Sequence, residues 1–240
     1  MNRFAQAVTG LWSRRSFLGA AASGLAGFLG VPVSTSLAAE GGIKNFRTLG
    51  RTNLKVSDVS MGTYGLTQQE VVAAALDAGV NFIDTGPNYG EAEVVVGQAL
   101  KQRKREDIIV ATRWYNNNEP SALNLLKQLD KSLGRLQTDY VDVILLGGTE
   151  TVDQLKNHAL HEAFAAAQKQ KKVRFMGVAG HGKQLTAIMH QAIHSEKFDL
   201  IMPAYNFMKA PGLEKEIAAA QKKGVAVVAM KTLGGARAAT

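Results

Sequence analysis

The sequence predicts an α/β fold, a (β/α)8 TIM barrel truncated after its seventh strand and preceded by an N-terminal hairpin. Three observations predict it. Short apolar runs recur along the chain with a helical pattern between each pair, which is the βα repeat. Most of these runs are continuously apolar rather than alternating. Both faces of each strand must then be covered, as in a parallel sheet wrapped by helices. The third observation separates a barrel from an open dinucleotide-binding sheet. Such a sheet carries a glycine-rich turn after its first strand, and "MGTYGLTQQE" supplies only Gly62 and Gly65.

The elements follow in order. "FRTLGRTNLKVS" sets a glycine turn between two short extended runs and reads as the hairpin. Barrel strands are expected at Val59–Met61, Asn81–Asp84, Ile108–Thr112, Val141–Leu146, Arg174–Val178, Leu200–Ala204 and Ala226–Met230. Helices are expected at Gln68–Ala78, Ala92–Lys101, Ala122–Leu133, Leu160–Lys171, Gln184–His194 and Leu213–Lys222. A barrel abolishes its sheet edges only with the eighth strand. The expectation is therefore a piece of a longer chain. With 240 residues, 46% of them hydrophobic, there is enough apolar material for one domain with its own core.

The first 39 residues read differently. Arg14 and Arg15 precede Phe17 and Leu18, an Ala/Gly/Leu run follows, and the small residues Ser36 and Ala38 stand two apart. The run is short and glycine-rich for a span of about 20 residues. It reads as a twin-arginine export signal over residues 1–39, a barrel domain over 40–240 and a periplasmic location, with membrane contact only during export. Three of the 28 basic residues, Arg3, Arg14 and Arg15, lie in that segment, and it holds no acid. The remaining basic excess is scattered, apart from "KQRKRED" and "QKQKKVR", which read as solvated helix ends. No nucleic-acid partner is expected. The chain has no cysteine, which excludes disulfides, thiolate metal sites and cysteine nucleophiles within it.

Chemistry in a barrel of this class lies at the C-terminal ends of the strands. In "NFIDTGPNYGEAEVVVG" an apolar run ends on Asp84, a turn carries Gly86, Pro87 and Gly90, and Tyr89 follows five residues after Asp84. "FIDTGPNYGEAEVVVGQAL" resembles the signature of the aldo-keto reductase family. "FRTLGRTNLKVSDVSMGTYG" is similar to that family's hairpin and first strand. "VRFMGVAGHG", "FDLIMPAYNFM" and "GVAVVAMKTLGG" are similar to its fifth, sixth and seventh strands, so the resemblance runs from Asn45 to Ala236. The last two resemble a subgroup that often carries a C-terminal iron–sulfur module, for which this chain holds no cysteine.

The resemblance implies hydride transfer between NADP (or NAD) and a small-molecule carbonyl or alcohol substrate, by a tetrad of Asp, Tyr, Lys and His. Asp84 and Tyr89 stand at two of those positions, the carboxylate as anchor and the phenol as proton donor. The lysine position, in "IIVATRW", holds Arg113, and the histidine position, in "YVDVILLGGTE", holds Gly147. Arg113 keeps the positive charge, pairs with Asp84 in a two-pronged manner and lowers the pKa of Tyr89. Gly147 removes a donor and opens space.

Cofactor positions carried over are Gly62 and Thr63 after the first strand, Ala179 and Gly180 after the fifth, Met202 and Tyr205 on and after the sixth, and Lys231, Thr232, Leu233 and Gly235 beyond the seventh. Tyr205 is expected to stack on the nicotinamide, His181 to stand near the cofactor, and Trp114 and Tyr115 to wall a substrate pocket. No metal site is expected. His158, His161, His190 and His194 fall on helices without spacing onto one pocket. The competing readings are a catalytically impaired module that binds a nucleotide or partner, and a remnant of a larger redox protein whose redox partner is undefined.

Overall fold

The computed structural model describes residues 42–43, 45–115, 121–206, 212–232 and 234. The expected export signal lies outside the described residues. Strands β1 (Phe46–Thr48) and β2 (Lys55–Ser57) pair antiparallel and form the expected hairpin. Gly50 turns it at φ 51°, and a Cβ there would stand 2.5 Å from the Gly224 carbonyl oxygen. Only glycine allows the hairpin to seat so closely. Arg51 completes the seat, its backbone N–H donating to Gly224 and its Nε standing 3.0 Å from Asp199.

One sheet of seven parallel strands follows, ordered as in the chain: β3 (Met61–Gly62), β4 (Phe82–Asp84), β5 (Ile109–Tyr115), β6 (Val141–Gly147), β7 (Val173–Gly180), β8 (Leu200–Pro203) and β9 (Ala226–Val227). The helices are α1 (Gln69–Asp77), α2 (Ala92–Leu100), α3 (Ala122–Leu136), α4 (Asp153–Lys156), α5 (His158–Lys169), α6 (Leu185–His194) and α7 (Leu213–Lys222). The sheet curls until Ser60 and Gly62 at one edge and Val228 and Met230 at the other line the same narrow cleft. The architecture is thus the expected α/β barrel type, as a curled half-barrel. No helix among the described residues is long and apolar enough to cross a membrane.

Two apolar layers account for the continuous runs. Along β5, Ile109 and Ala111 face the barrel interior with Phe82, Leu145, Ala179, Leu200 and Met202, and Leu49, Leu54 and Val56 of the hairpin region join this layer. Val110 and Trp114 point outward with Ile83, Ile144, Val178 and Ile201 against the helices. Period two along a doubly buried strand thus assigns residues to two cores rather than to core and solvent.

Several element bounds differ from expectation; β9, for one, ends at Val227, three residues short of Met230. The first barrel strand begins at Met61, because the Ser57 hydroxyl donates to the Val59 carbonyl in a turn and Val59 is left exposed. β5 runs to Tyr115, three residues further than expected, and brings Arg113 and Tyr115 onto the sheet. The short helix α4 was not expected; it carries a single buried side chain, Leu155, too little for a periodic signal.

One contact sets the spacing of α2 and α3. A Cβ at Gly97 would lie 2.5 Å from the Arg135 carbonyl oxygen and 2.7 Å from the Leu136 carbonyl carbon. Beside it Glu93 is buried, accepting from Thr112 at 2.5 Å and pairing with Arg135 at 2.6 Å. Gly97→Val is expected to cost about 3 kcal/mol, since backbone cannot yield as a side chain can. Urea unfolding checks this; an unchanged midpoint would mean that the helices stand further apart.

Candidate active site

The site lies at the C-terminal ends of the strands. Asp84 ends β4. Both the backbone N–H and the hydroxyl of Thr63 donate to its carbonyl, at 3.1 and 3.0 Å, which fixes its backbone. Arg113 projects inward from β5 and is 3% exposed. Its Nη2 donates to Asp84 Oδ2 at 2.9 Å and approaches Met202 Sδ at 3.6 Å, while Nη1 donates to the Thr85 carbonyl at 3.0 Å. The pairing with Asp84 is therefore one-pronged, not two-pronged, because the Thr85 carbonyl takes the other arm. Asp84 Oδ1 is buried with no partner among the described residues. Burial pushes the Asp84 carboxyl up, and the Arg113 guanidinium pulls it down by less.

Tyr89 reaches the same place from the loop after β4. The Arg113 guanidinium carbon lies 4.9 Å from the centre of its ring, and Tyr64 packs edge-on at 5.1 Å. The expected lowering of the Tyr89 pKa is reversed. Burial outweighs the pull of Arg113, Asp84 adds to burial, and the phenol is pushed up to about 12.

Gly147 does not leave an opening. A Cβ there would meet Arg113 Cδ at 3.0 Å and Tyr115 Cε1 at 3.3 Å. The volume is filled from the neighbouring strand by the longer arginine and by Tyr115. Burial raises the Tyr115 phenol too, against the pull of Arg113. Trp114 is corrected: it is completely buried among the outward-facing residues and does not wall the site, whereas Tyr115 does.

These groups share one cleft of about 810 Å³. Of the cofactor positions, Gly62, Thr63, Ala179, Gly180 and Lys231 line it. Met202 and Thr232 line an adjoining cleft of about 330 Å³, which shares Gly62, Asp84 and Lys231 with the first. Tyr205 lines neither. It is half-buried and packs on the outward-facing layer, so the expected stacking surface is not presented there. Leu233 and Gly235 lie outside the described residues. His181 lines the larger cleft, and burial, then Lys231, lower its pKa. Tyr64, Asn88 and Glu150 also line it and were missed. Tyr64 had a signal, as the aromatic two residues past Gly62 at a strand end.

The geometry accommodates a nicotinamide cofactor. No atom lies within 4 Å of a Cβ built on Gly62, so that wall is open to a flat group. Lys231 stands at φ 55°, with its carbonyl accepting from Asn206 Nδ2 at 3.0 Å and the Gly234 N–H at 2.7 Å. These bonds fix the backbone of Lys231, which lines the cleft and would be a cation available to a phosphate. Ala179, Gly180 and Met202 offer no side-chain donor, so at these positions a carboxamide would be held by backbone groups.

A parallel βα barrel with a phenol, a buried cation and a carboxylate at one mouth defines the class: a barrel with a polar strand-end site. Residues 60–239 match the profile of the Aldo/keto reductase family, and the chain belongs to that family. It is 38% identical over 156 residues to the L-galactose dehydrogenase of Arabidopsis thaliana, a match covering 56% of this chain and 48% of that one. It is 28% identical over 221 residues to the 6-dehydroglucose reductase of Novosphingobium aromaticivorans, covering 81% and 71%. Among solved structures, the holo form of an aldo-keto reductase from Bacillus halodurans superposes with TM-score 0.65 at 29% identity, over 77% of this chain and 65% of that one. The chain spans about half the length of several curated relatives it matches.

Proposed function

We propose that this protein is an NAD(P)-dependent oxidoreductase that interconverts a carbonyl and an alcohol, with a sugar-like substrate. The observation that carries the reading is the convergence of Asp84, Arg113 and Tyr89 on one cleft. The sugar class rests on the names of two relatives. Export by the twin-arginine route to the periplasm is part of the same proposal.

A bound nicotinamide would supply the hydride to the carbonyl carbon. The chain's own part is proton delivery and charge stabilisation. As the carbonyl oxygen gains negative charge, the Tyr89 O–H bond breaks and its proton passes to that oxygen. Arg113, held by Asp84 and the Thr85 carbonyl, lies against the ring and stabilises the phenolate until water reprotonates it. The Tyr115 ring lies against Gly147 and its hydroxyl stands 3.6 Å from a Cβ built on Gly86, from where it can orient the substrate oxygen.

NADPH titrated into the protein is expected to bind with quenching of its fluorescence. A panel of sugar aldehydes and ketones is then expected to show turnover. No nucleotide binding would reject the reading. Binding without turnover of any carbonyl would instead favour the impaired nucleotide-binding module, for which the absence of a side-chain donor at Gly147 is the favouring observation.

A further inference from the structure

We propose that His190 and His194 of α6 and Glu216 of α7 bind one divalent d-block cation, with Zn2+ as the type case. The two histidines stand four residues apart and share the exposed face of α6, while Ile188, Met189, Ala192 and Ile193 bury the other. Their rings stack with centroids 4.1 Å apart. Glu216 comes across from the next helix and places its carboxylate oxygens 3.3 and 3.2 Å from His190 Nδ1. One ligating atom from each residue lies within 4.8 Å of the others.

These distances fit one ion. Two ligands on a tetrahedral zinc with bonds of about 2.0–2.1 Å stand roughly 3.3 Å apart. The His190–Glu216 pair already has that spacing, and the ligating atom of His194 lies within 4.8 Å of both. His194 Nδ1 lies 2.9 Å from the His190 carbonyl oxygen. A donor hydrogen on Nδ1 there leaves the Nε2 lone pair for the ion and fixes the ring, as an outer partner does for metal-bound histidines. Two imidazoles and one carboxylate favour Zn2+, Cu2+ or Ni2+ over Mg2+ and Ca2+.

Among the described residues no other histidine belongs to such a group. There is no cysteine. His158 faces Glu162 at 3.7 Å. His161 is engaged with the Leu155 carbonyl, and His181 lies in the cleft. None of His190, His194 and Glu216 lines the cleft. The inference is therefore independent of the proposed reaction, and the ion would clamp α6 to α7.

The test is calorimetric titration of ZnCl2 into the full chain in a non-chelating buffer. Saturable uptake of one Zn2+ per chain is expected, with no heat from MgCl2. His194→Ala and Glu216→Gln are each expected to weaken uptake at least about tenfold, and His158→Ala to leave it unchanged. Zn2+ should raise the melting temperature of the parent protein and not that of His194→Ala. Because all three side chains lie at the surface or its edge, circular dichroism should find every variant folded. Absence of saturable uptake in the parent protein, or uptake unchanged in the His190→Ala/His194→Ala double variant, would overturn the proposal.

Discussion

Tyr89→Phe is expected to lower turnover of a carbonyl substrate by about 10²–10⁴-fold, the usual contribution of a positioned proton donor. Nucleotide binding and KM should change little, because the lost oxygen acts only as charge develops on the substrate. The pH profile carries more information than the rate. A donor must hold its proton, and burial keeps this one protonated up to about 12. Reduction is therefore expected to show no fall from the donor between pH 7 and 10, where a phenol near its ordinary value of about 10 would already be titrating. The same shift bears on folding. A group whose pKa is raised in the folded state stabilises it fully below its unfolded value, and that contribution fades as pH rises through the folded value. The contribution of Tyr89 is thus expected to be lost between about 10 and 12. A parent-like rate in Tyr89→Phe would remove the phenol from the mechanism and leave Tyr115 as the donor to examine.

The frame of the fold was legible because double-sided burial writes itself as continuous apolar runs. "VDVILL" and "DLIMP" could be read as central parallel strands without coordinates, and they form β6 and β8. Asp84 and Tyr89 were legible because a charged residue closing such a run is costly unless it is used. What escaped was a matter of neighbours. Nothing near Gly147 in the chain says that Tyr115, 32 positions earlier, fills its space, since that follows from the register pairing the two residues across β5 and β6. Trp114 and Tyr115 are adjacent in sequence yet face opposite cores, and the choice depended on β5 extending past Thr112. The pKa of Tyr89 went the other way because a sequence shows the arginine but not the burial. His190 and His194 were read as helix histidines without a shared pocket, because Glu216, which faces His190, sits on another helix, beyond reach of a pattern within one segment.

Asp84→Ala carries the largest expected effect on stability. The mutation leaves the Arg113 guanidinium at 3% exposure with Thr85 O as its remaining hydrogen-bonding oxygen among the described residues. Removing one partner of a buried ion pair costs about 3–5 kcal/mol, most of it from the charge left unpaired. The penalty cannot be relieved by proton loss, because an arginine does not deprotonate at any pH a protein survives. A lysine at the same position could shed its charge, so an arginine there makes the fold more dependent on Asp84. The double variant Asp84→Ala/Arg113→Met follows from the same reasoning. The thioether side chain introduced on β5 would extend into the volume beside Met202 and Tyr115, no charge would remain, and most of the lost stability is expected to return although activity does not. Urea unfolding of the parent, the single and the double variant checks this. A single variant that costs under about 1 kcal/mol would show that water reaches Arg113 and that the pair is worth no more than an exposed one. A double variant no more stable than the single would assign the loss to the space vacated at Asp84 rather than to the stranded charge.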